Sequence, residues 1–183
     1  TLPEKGYMGD SLLLNVQRIT SCASFARMSG VQLPVMTTTG SGNQGITLIL
    51  TIAATAMELK IPEDKMLRAI AFAQAINLYA KHYLGTLSCL CSCSVASGLS
   101  ASAGIVYMMG GSDQQVLDTM RNVLGSISGM ICDGAKEGCA SKVCLSTGLS
   151  VMSAMMALNG MNTKPADGIL ADNLKDLFTN LGN

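Results

Sequence analysis

Long apolar stretches that recur at helical spacing and are interrupted by glycine constrain the fold of this sequence more than any other feature. The apolar positions between Met66 and Tyr79, and again between Val116 and Leu124, follow the period of a helix that buries one face. Glycines such as Gly30 and Gly85 follow such stretches, where helices commonly end. Alternating patterns typical of strands are scarce. The sequence therefore predicts an all-α fold, with about seven helices in one compact domain covering residues 1–183 and with Gly-rich functional loops.

The low content of charge excludes several classes of function. Charged residues are 13% of the chain, hydrophobic residues are 49%, and the formal net charge is zero. Without a basic patch or tail, we expect neither nucleic-acid binding nor electrostatic docking on a membrane. The uncharged apolar stretch from Val143 to Gly160 carries several Ser, Thr and Asn side chains and is too polar for a typical transmembrane span. The composition is typical of a deeply buried helical domain or of a piece of a larger protein.

The cysteine content predicts reduced thiols in the cytoplasm. The chain starts Thr1-Leu2-Pro3-Glu4-Lys5, without the apolar core of a secretion signal. An odd number of cysteines without such a signal argues against a disulfide framework. Three roles stay open for these thiols: buried packing groups, metal ligands or nucleophiles. The seven are Cys22, Cys89, Cys91, Cys93, Cys132, Cys139 and Cys144.

A polar, glycine-rich loop precedes one of the predicted helices. It reads MTTTGSGNQG from Met36 to Gly45. Glycines allow backbone N–H groups to converge, and the N-terminus of the following helix favours an anion, so the loop suits a carboxylate. It is not a nucleotide-binding Walker loop, because no Gly-Lys-Ser/Thr follows. A flexible polar connection is the alternative. The candidate binding residues are Thr39, Gly40, Ser41, Gly42 and Asn43.

The cysteines fall into two groups. Cys89, Cys91 and Cys93 lie within five residues, and Cys132 and Cys139 flank a second Gly-containing loop. The paired Cys-x-x-Cys knuckles of structural zinc sites are absent. The first three thiols would share one face of a strand but would fan out around a helix. Three thiolates beside a Gly-containing loop suit an iron–sulfur cluster with one iron left open. Spacing alone also allows most of these thiols to be packing residues.

A pair of basic residues stands near the end of a predicted helix. His82 is the only histidine of the chain, and Lys81 precedes it. Either side chain could neutralise a substrate carboxylate or transfer a proton, so both are candidate catalytic residues. A role in capping the helix is the alternative. Asp133 and Lys136 are candidates of the same kind.

Four segments together resemble one known family. They are ARM at Ala26–Met28, the loop at Met36–Gly45, LSCLCSCSVASG at Leu87–Gly98 and ICDGAKEGC at Ile131–Cys139. In this order they are similar to the serine dehydratase α-chain family, and most closely to its branch of bacterial and archaeal L-cysteine desulfidases. The resemblance covers essentially the whole chain.

The resemblance implies a helical catalytic domain with a [4Fe–4S] cluster held by three cysteines and one iron open to substrate. The family's cluster ligands fall on Cys132 and Cys139, and the third falls on Cys91, with Cys93 as the close alternative. The family's carboxylate loop falls on Thr39–Asn43. The implied reaction is a lyase elimination of hydrogen sulfide from L-cysteine, or of water from L-serine, to give pyruvate and ammonia without pyridoxal phosphate.

One departure from the family pattern concerns completeness. Family members are longer, and their N-terminal half carries a Gly-Cys-Thr-Glu-Pro-like motif with a further essential cysteine that this chain lacks. The chain is therefore expected to be the C-terminal portion of a cytoplasmic enzyme. It would need its N-terminal half, in cis or as a separate chain, and a homo-oligomer is compatible with the sequence. A non-catalytic helical module with structural cysteines is the alternative function, as is a fragment that is inactive alone.

Overall fold

An almost entirely buried helix, Val95–Met108 (α5), lies at the centre of the fold in the computed structural model, which describes residues 9–183. Of its fourteen residues only Tyr107 reaches solvent, because its many Ala, Ser and Gly residues let neighbours approach on every side. The other helices are α1 (Leu12–Met28), α2 (Gly42–Gly45), α3 (Thr51–Glu58), α4 (Glu63–Leu84), α6 (Asp113–Ile127), α7 (Cys139–Leu158) and α8 (Leu174–Gly182).

The second helical segment contains a π-helical turn. Residues Ile46–Leu50 join α2 to α3 without a break, so Gly42 to Glu58 forms one continuous rod. Within residues 9–183 the chain therefore has seven helical rods, and its only β pairing is two isolated bridges. The predicted all-α fold with about seven helices is confirmed. The segment Thr1–Lys5, on which the absence of a secretion signal was inferred, lies outside the described residues.

Small residues bring α5 and α7 into close contact. A Cβ atom added at Gly98 would lie 2.2 Å from the Ser146 hydroxyl oxygen, so glycine is required there. Ser146 donates a hydrogen bond to the Ser94 carbonyl (2.6 Å), and Ser150 donates to the Gly98 carbonyl (2.8 Å). In the described part of the chain, α7 is the one helix long and apolar enough to cross a membrane. Half of it is buried against its neighbours, as in the core helix of a folded domain.

A buried ion pair anchors α6 to the C-terminal segment. Asp118 and Arg121 are 2.8 Å apart with side chains 7% and 4% exposed, and Arg121 also donates to the Ala171 carbonyl. We expect Asp118→Ala to lower the free energy of unfolding by about 3–5 kcal/mol, because it removes the close partner of a buried guanidinium and leaves only the longer contact with the exposed Asp172 (3.8 Å). Urea denaturation measures this effect. Asp64→Ala, which breaks the exposed pair with Arg68, is the control and should cost less than about 1 kcal/mol. Equal losses of unfolding free energy in the two variants would contradict a stabilising role for the buried ion pair.

Several helix ends meet at one end of the bundle. The C-terminus of α1 and the N-termini of α2 and α7 border one cavity there, together with the segment that leads into α5. Helix N-termini carry partial positive charge from unpaired N–H groups. This end of the fold therefore favours anionic groups such as thiolates and carboxylates.

Candidate active site

The cavity at this end of the bundle brings together the motifs that are far apart in the sequence. Its volume is about 350 Å³. The polar loop, the first cysteine group and the second cysteine group all contribute to its wall. Its lining residues include Arg27, Gly40, Ser41, Asn43, Cys91, Ser92, Cys93, Cys132, Asp133, Cys139 and Lys142.

A short antiparallel pairing places the two cysteine groups side by side. Leu90 and Ile131 form an isolated β bridge. The Cys91 N–H donates to the Met130 carbonyl, and the Cys132 N–H donates to the Cys89 carbonyl, both at 2.8 Å. Two backbone bonds therefore fix Cys91 and Cys132 on neighbouring strand-like segments. Cys89 lies outside this cavity and borders a separate hollow near the C-terminus of the chain.

Cys91 and Cys93 form a close thiol pair. The chain turns after Cys91, and their sulfur atoms lie 3.3 Å apart. The hydrogen bond from the Cys93 thiol, supported by Ser94, lowers the pKa of Cys91 to about 6. The same contact, together with burial, raises the pKa of Cys93. The pair therefore presents one thiolate and one protonated thiol to the cavity at neutral pH.

The second cysteine loop is held by ion pairs. Cys139 is the buried first residue of α7, and Cys132 is exposed on the loop before it. Asp133 pairs with both Lys136 and Lys142, which hold the pKa of its carboxyl well below the usual range. Lys142 also donates to the Ile131 carbonyl at 2.8 Å. The Asp133 carboxylate thus orders the loop, and each of its two oxygens is paired with a lysine.

The polar loop forms a tight turn in front of α2. Thr38 and Ser41 exchange two backbone hydrogen bonds (3.0 and 3.2 Å), with φ values of 48° at Thr39 and 82° at Gly40. A positive φ is strained for a β-branched residue, and such strain is concentrated at functional sites. The Thr39 hydroxyl points inward, towards the Gln44 side-chain oxygen at 3.1 Å.

Of the predicted carboxylate residues, Gly40, Ser41 and Asn43 border the cavity. Thr39 and Gly42 do not. Thr39 supports the turn, and Gly42 is buried beneath the side chain of Arg27.

Arg27 is a cavity residue that the prediction of site residues missed. A Cβ atom at Gly42 would lie 2.3 Å from the Arg27 Nε, so the guanidinium crosses directly over this glycine. Arg27 donates a hydrogen bond to the Asn43 side-chain oxygen at 3.3 Å. No acidic side chain of the described residues pairs with it. The available signal was its place in Ala26–Met28, a segment that supported the family resemblance.

Lys81 and His82 have different surroundings. Lys81 is buried, which lowers its pKa, and its ammonium donates to the Thr86 carbonyl (3.1 Å) and to the Ser92 hydroxyl (3.2 Å). Thr86 and Ser92 border the cavity, whereas Lys81 lies behind them. His82 is exposed and packs edge-on against Tyr83. The structure therefore brings Lys81 close to the cavity but not His82.

Four thiols border the cavity: Cys91, Cys93, Cys132 and Cys139. Among residues 9–183, no three Cys, His, Asp or Glu side chains converge tightly enough to hold one metal ion. Soft sulfur donors favour iron–sulfur chemistry. The donor set fits a cluster ligated by three of these four cysteines.

Comparison with known sequences agrees with these motifs. The family model described as serine dehydratase alpha chain matches residues 4–183. The chain belongs to this family. This confirms the predicted membership of the serine dehydratase α-chain family, without distinguishing among its branches.

Curated relatives in the serine dehydratase alpha chain family are named only as UPF0597 proteins. Those of Alkaliphilus oremlandii and Alkaliphilus metalliredigens are 42% and 43% identical over 179 and 178 residues, covering 98% and 97% of this chain. The Clostridium tetani protein is 45% identical over 164 residues, or 90% of the chain. The matches cover 42%, 40% and 39% of these relatives, so the chain spans about two fifths of their length. No solved structure matches the chain significantly.

Proposed function

We propose that this chain carries the cluster-binding part of a lyase that removes the β-substituent of a small amino acid, L-cysteine or L-serine, and yields pyruvate and ammonia. The observation that carries the proposal is the common cavity. Thiols, neutral hydrogen-bond donors and an arginine that has no acidic partner among residues 9–183 all border it. Membership of the serine dehydratase alpha chain family supports the same class of reaction.

The cysteine side of the cavity supplies the metal ligands of the proposal. Cys132, Cys139 and Cys91 would hold a [4Fe–4S] cluster, with Cys93 as the alternative to Cys91. Bound there, such a cluster supplies a Lewis-acidic iron for the β-thiol or β-hydroxyl of the substrate. The lysine of α7, Lys142, lies near Cys91 and Cys132, where its ammonium would offset part of the negative charge of thiolate ligands.

The polar loop and Arg27 supply a place for the substrate carboxylate in the same cavity. Ser41 and Asn43 offer neutral polar groups, and Arg27 offers a guanidinium that can bind two carboxylate oxygens at once. A carboxylate held there has its α-carbon and β-substituent directed into the same cavity as the thiols. The loop therefore orients the substrate, while the arginine compensates its charge.

Proton transfer from the α-carbon needs a base. Among the described cavity residues, the only carboxylate is that of Asp133, which is engaged by two lysines. We place the base on polypeptide outside this chain, in agreement with the greater length of the relatives. The partner would be the N-terminal half of the enzyme, in cis or as a separate chain.

Pyruvate release tests the proposal. The chain and the full-length relative from Alkaliphilus oremlandii are reconstituted with iron and sulfide without oxygen and incubated with L-cysteine or L-serine. We expect pyruvate from the full-length relative with at least one of the two substrates, and little or none from the chain alone. A reconstituted full-length relative that releases no pyruvate from either substrate would contradict the lyase assignment.

The adjacent residues Lys81 and His82 give a matched pair of variants. We expect Lys81→Met in the chain to weaken binding of L-serine about tenfold, because the charged hydrogen bonds that order Thr86 and Ser92 are lost. His82→Ala should change binding less than about twofold. Calorimetric titration of reconstituted protein measures both. A larger loss for His82→Ala than for Lys81→Met would show that the histidine, not the lysine, supports the site.

A further inference from the structure

A second cavity, apolar and of about 240 Å³, shares Arg27 as a lining residue with the cavity that holds the cysteines. Its walls come from α1, from the extended segment of residues 31–36 and from the π-helical turn. Apart from Arg27, the lining is hydrophobic, with Ala23, Ala26, Val35, Ile46, Ile49 and Leu50 as its main residues. Nothing in the proposed lyase reaction uses this space.

Close backbone contact builds the cavity into the fold. A Cβ atom at Gly45 would lie 1.9 Å from the Met36 carbonyl oxygen, so only glycine lets the extended segment pass directly over the helix. Ile46, Ile49 and Leu50 then belong to the π-helical turn that follows. π-helical turns are rare in proteins, and those that occur often lie at functional sites. The alanines of α1 leave open the space between these walls.

The single charged group defines the ligand chemistry. Arg27 borders both cavities, and no acidic side chain of the described residues neutralises it. The Arg27 side chain lines this apolar space, and its guanidinium lies over Gly42 beside Asn43. An arginine in such a wall favours a carboxylate, which its guanidinium can bind in a fork-like pair. A volume of about 240 Å³ corresponds to about eight waters at liquid density, which is room for a short branched hydrocarbon tail.

We propose that the apolar cavity is a regulatory site for a small carboxylic acid with a branched apolar tail, whose carboxylate pairs with Arg27. The tail fills the space between α1 and the π-helical turn. The same guanidinium donates to Asn43 and faces the cysteine cavity, so an acid bound here draws it away from the substrate carboxylate. Binding of the acid and of the amino acid is therefore antagonistic. This last step rests on the proposed function, whereas acid binding itself does not.

Titration calorimetry on the isolated chain tests the acid site without any turnover. The probes are 4-methylpentanoate, its neutral amide and acetate, which lacks the tail. We expect 4-methylpentanoate to bind at least about tenfold more tightly than either control. Arg27→Gln should remove the preference for acid over amide, whereas Arg18→Gln, an exposed arginine of the same helix, should retain it.

A cavity-filling variant locates the acid. Ala26→Leu should abolish binding of 4-methylpentanoate, and Ala23→Leu serves as a second variant if Ala26→Leu fails to fold. A cooperative thermal unfolding transition shows which of the two variants is folded. The proposal is overturned if acid and amide bind equally, if no probe binds, or if binding survives in a folded filled variant.

A second titration separates this proposal from the lyase assignment. L-serine is titrated into reconstituted chain with and without saturating 4-methylpentanoate. Antagonism predicts at least about tenfold weaker serine binding in the presence of the acid. By linkage, L-serine should weaken binding of the acid by the same factor. Acid binding without any effect on serine binding would overturn the coupling and leave the acid site standing. Serine binding without acid binding would overturn the acid site and leave the lyase assignment standing.

Discussion

Cys139→Ala and Cys132→Ala are each expected to abolish assembly of an iron–sulfur cluster in this chain. Both thiols face the cavity, and Cys139 is fixed at the start of α7, where no neighbouring cysteine can replace it. Removing one of three ligands leaves an incomplete donor set. The measurement is iron and sulfide content with visible absorbance after anaerobic reconstitution, and we expect both variants to fall to background.

Cys22→Ala is the matched control for these variants. Cys22 is an exposed thiol of α1 and does not border the cavity. It should assemble as much cluster as the unsubstituted chain. Cys91→Ala and Cys93→Ala, measured in the same way, identify the third ligand, since only one of the two should lose the cluster. Full assembly in Cys139→Ala would contradict the site as described.

Gly45→Ala is expected to lower the free energy of unfolding by about 3 kcal/mol, the upper part of the range for overpacked sites. The added methyl group would meet the Met36 carbonyl oxygen at 1.9 Å, and backbone atoms on both sides must move to relieve the contact. The extended segment of residues 31–36 would be displaced, and with it the wall of the apolar cavity. Urea denaturation measures the loss of stability.

Gly125→Ala provides the comparison. Gly125 also lies within a helix, but a Cβ atom there would meet its nearest neighbours at 3.5 Å, an ordinary contact. Alanine should therefore be neutral or stabilise the protein by up to about 1 kcal/mol. If Gly45→Ala were as stable as Gly125→Ala, the close packing of the segment on the helix would be wrong.

Local sequence pattern was sufficient for the helices. Apolar spacing and glycine placed α4 and α6 because these signals act over a few residues. The π-helical turn at Ile46–Leu50 was not predicted, and the sequence showed only a buried helix there. A π turn depends on tertiary packing around the helix, which single-sequence periodicity does not record.

The site was predictable in its parts but not in its assembly. The two cysteine groups and the polar loop were visible as motifs. Their convergence depends on the Leu90–Ile131 bridge and on helix ends that are distant in sequence. The position of Cys89 at a separate hollow was likewise not visible in the sequence, because it depends on how this segment packs.

Arg27 shows why charge alone was insufficient. In the sequence it is one basic residue among 12 lysines and arginines, and only its place in Ala26–Met28 distinguishes it. Its importance arises from two cavities that meet at its side chain and from the missing Cβ of Gly42. Both are properties of packing between α1 and the following loop.

Mössbauer spectroscopy of the chain reconstituted anaerobically with ⁵⁷Fe tests the central claim most directly. A [4Fe–4S] cluster held by three cysteines has one iron without a protein thiolate. We predict that L-cysteine or L-serine changes the signal of this iron alone, and that Cys139→Ala shows no cluster signal. A chain that assembles no cluster, or a cluster whose spectrum is unchanged by either amino acid, would contradict the account.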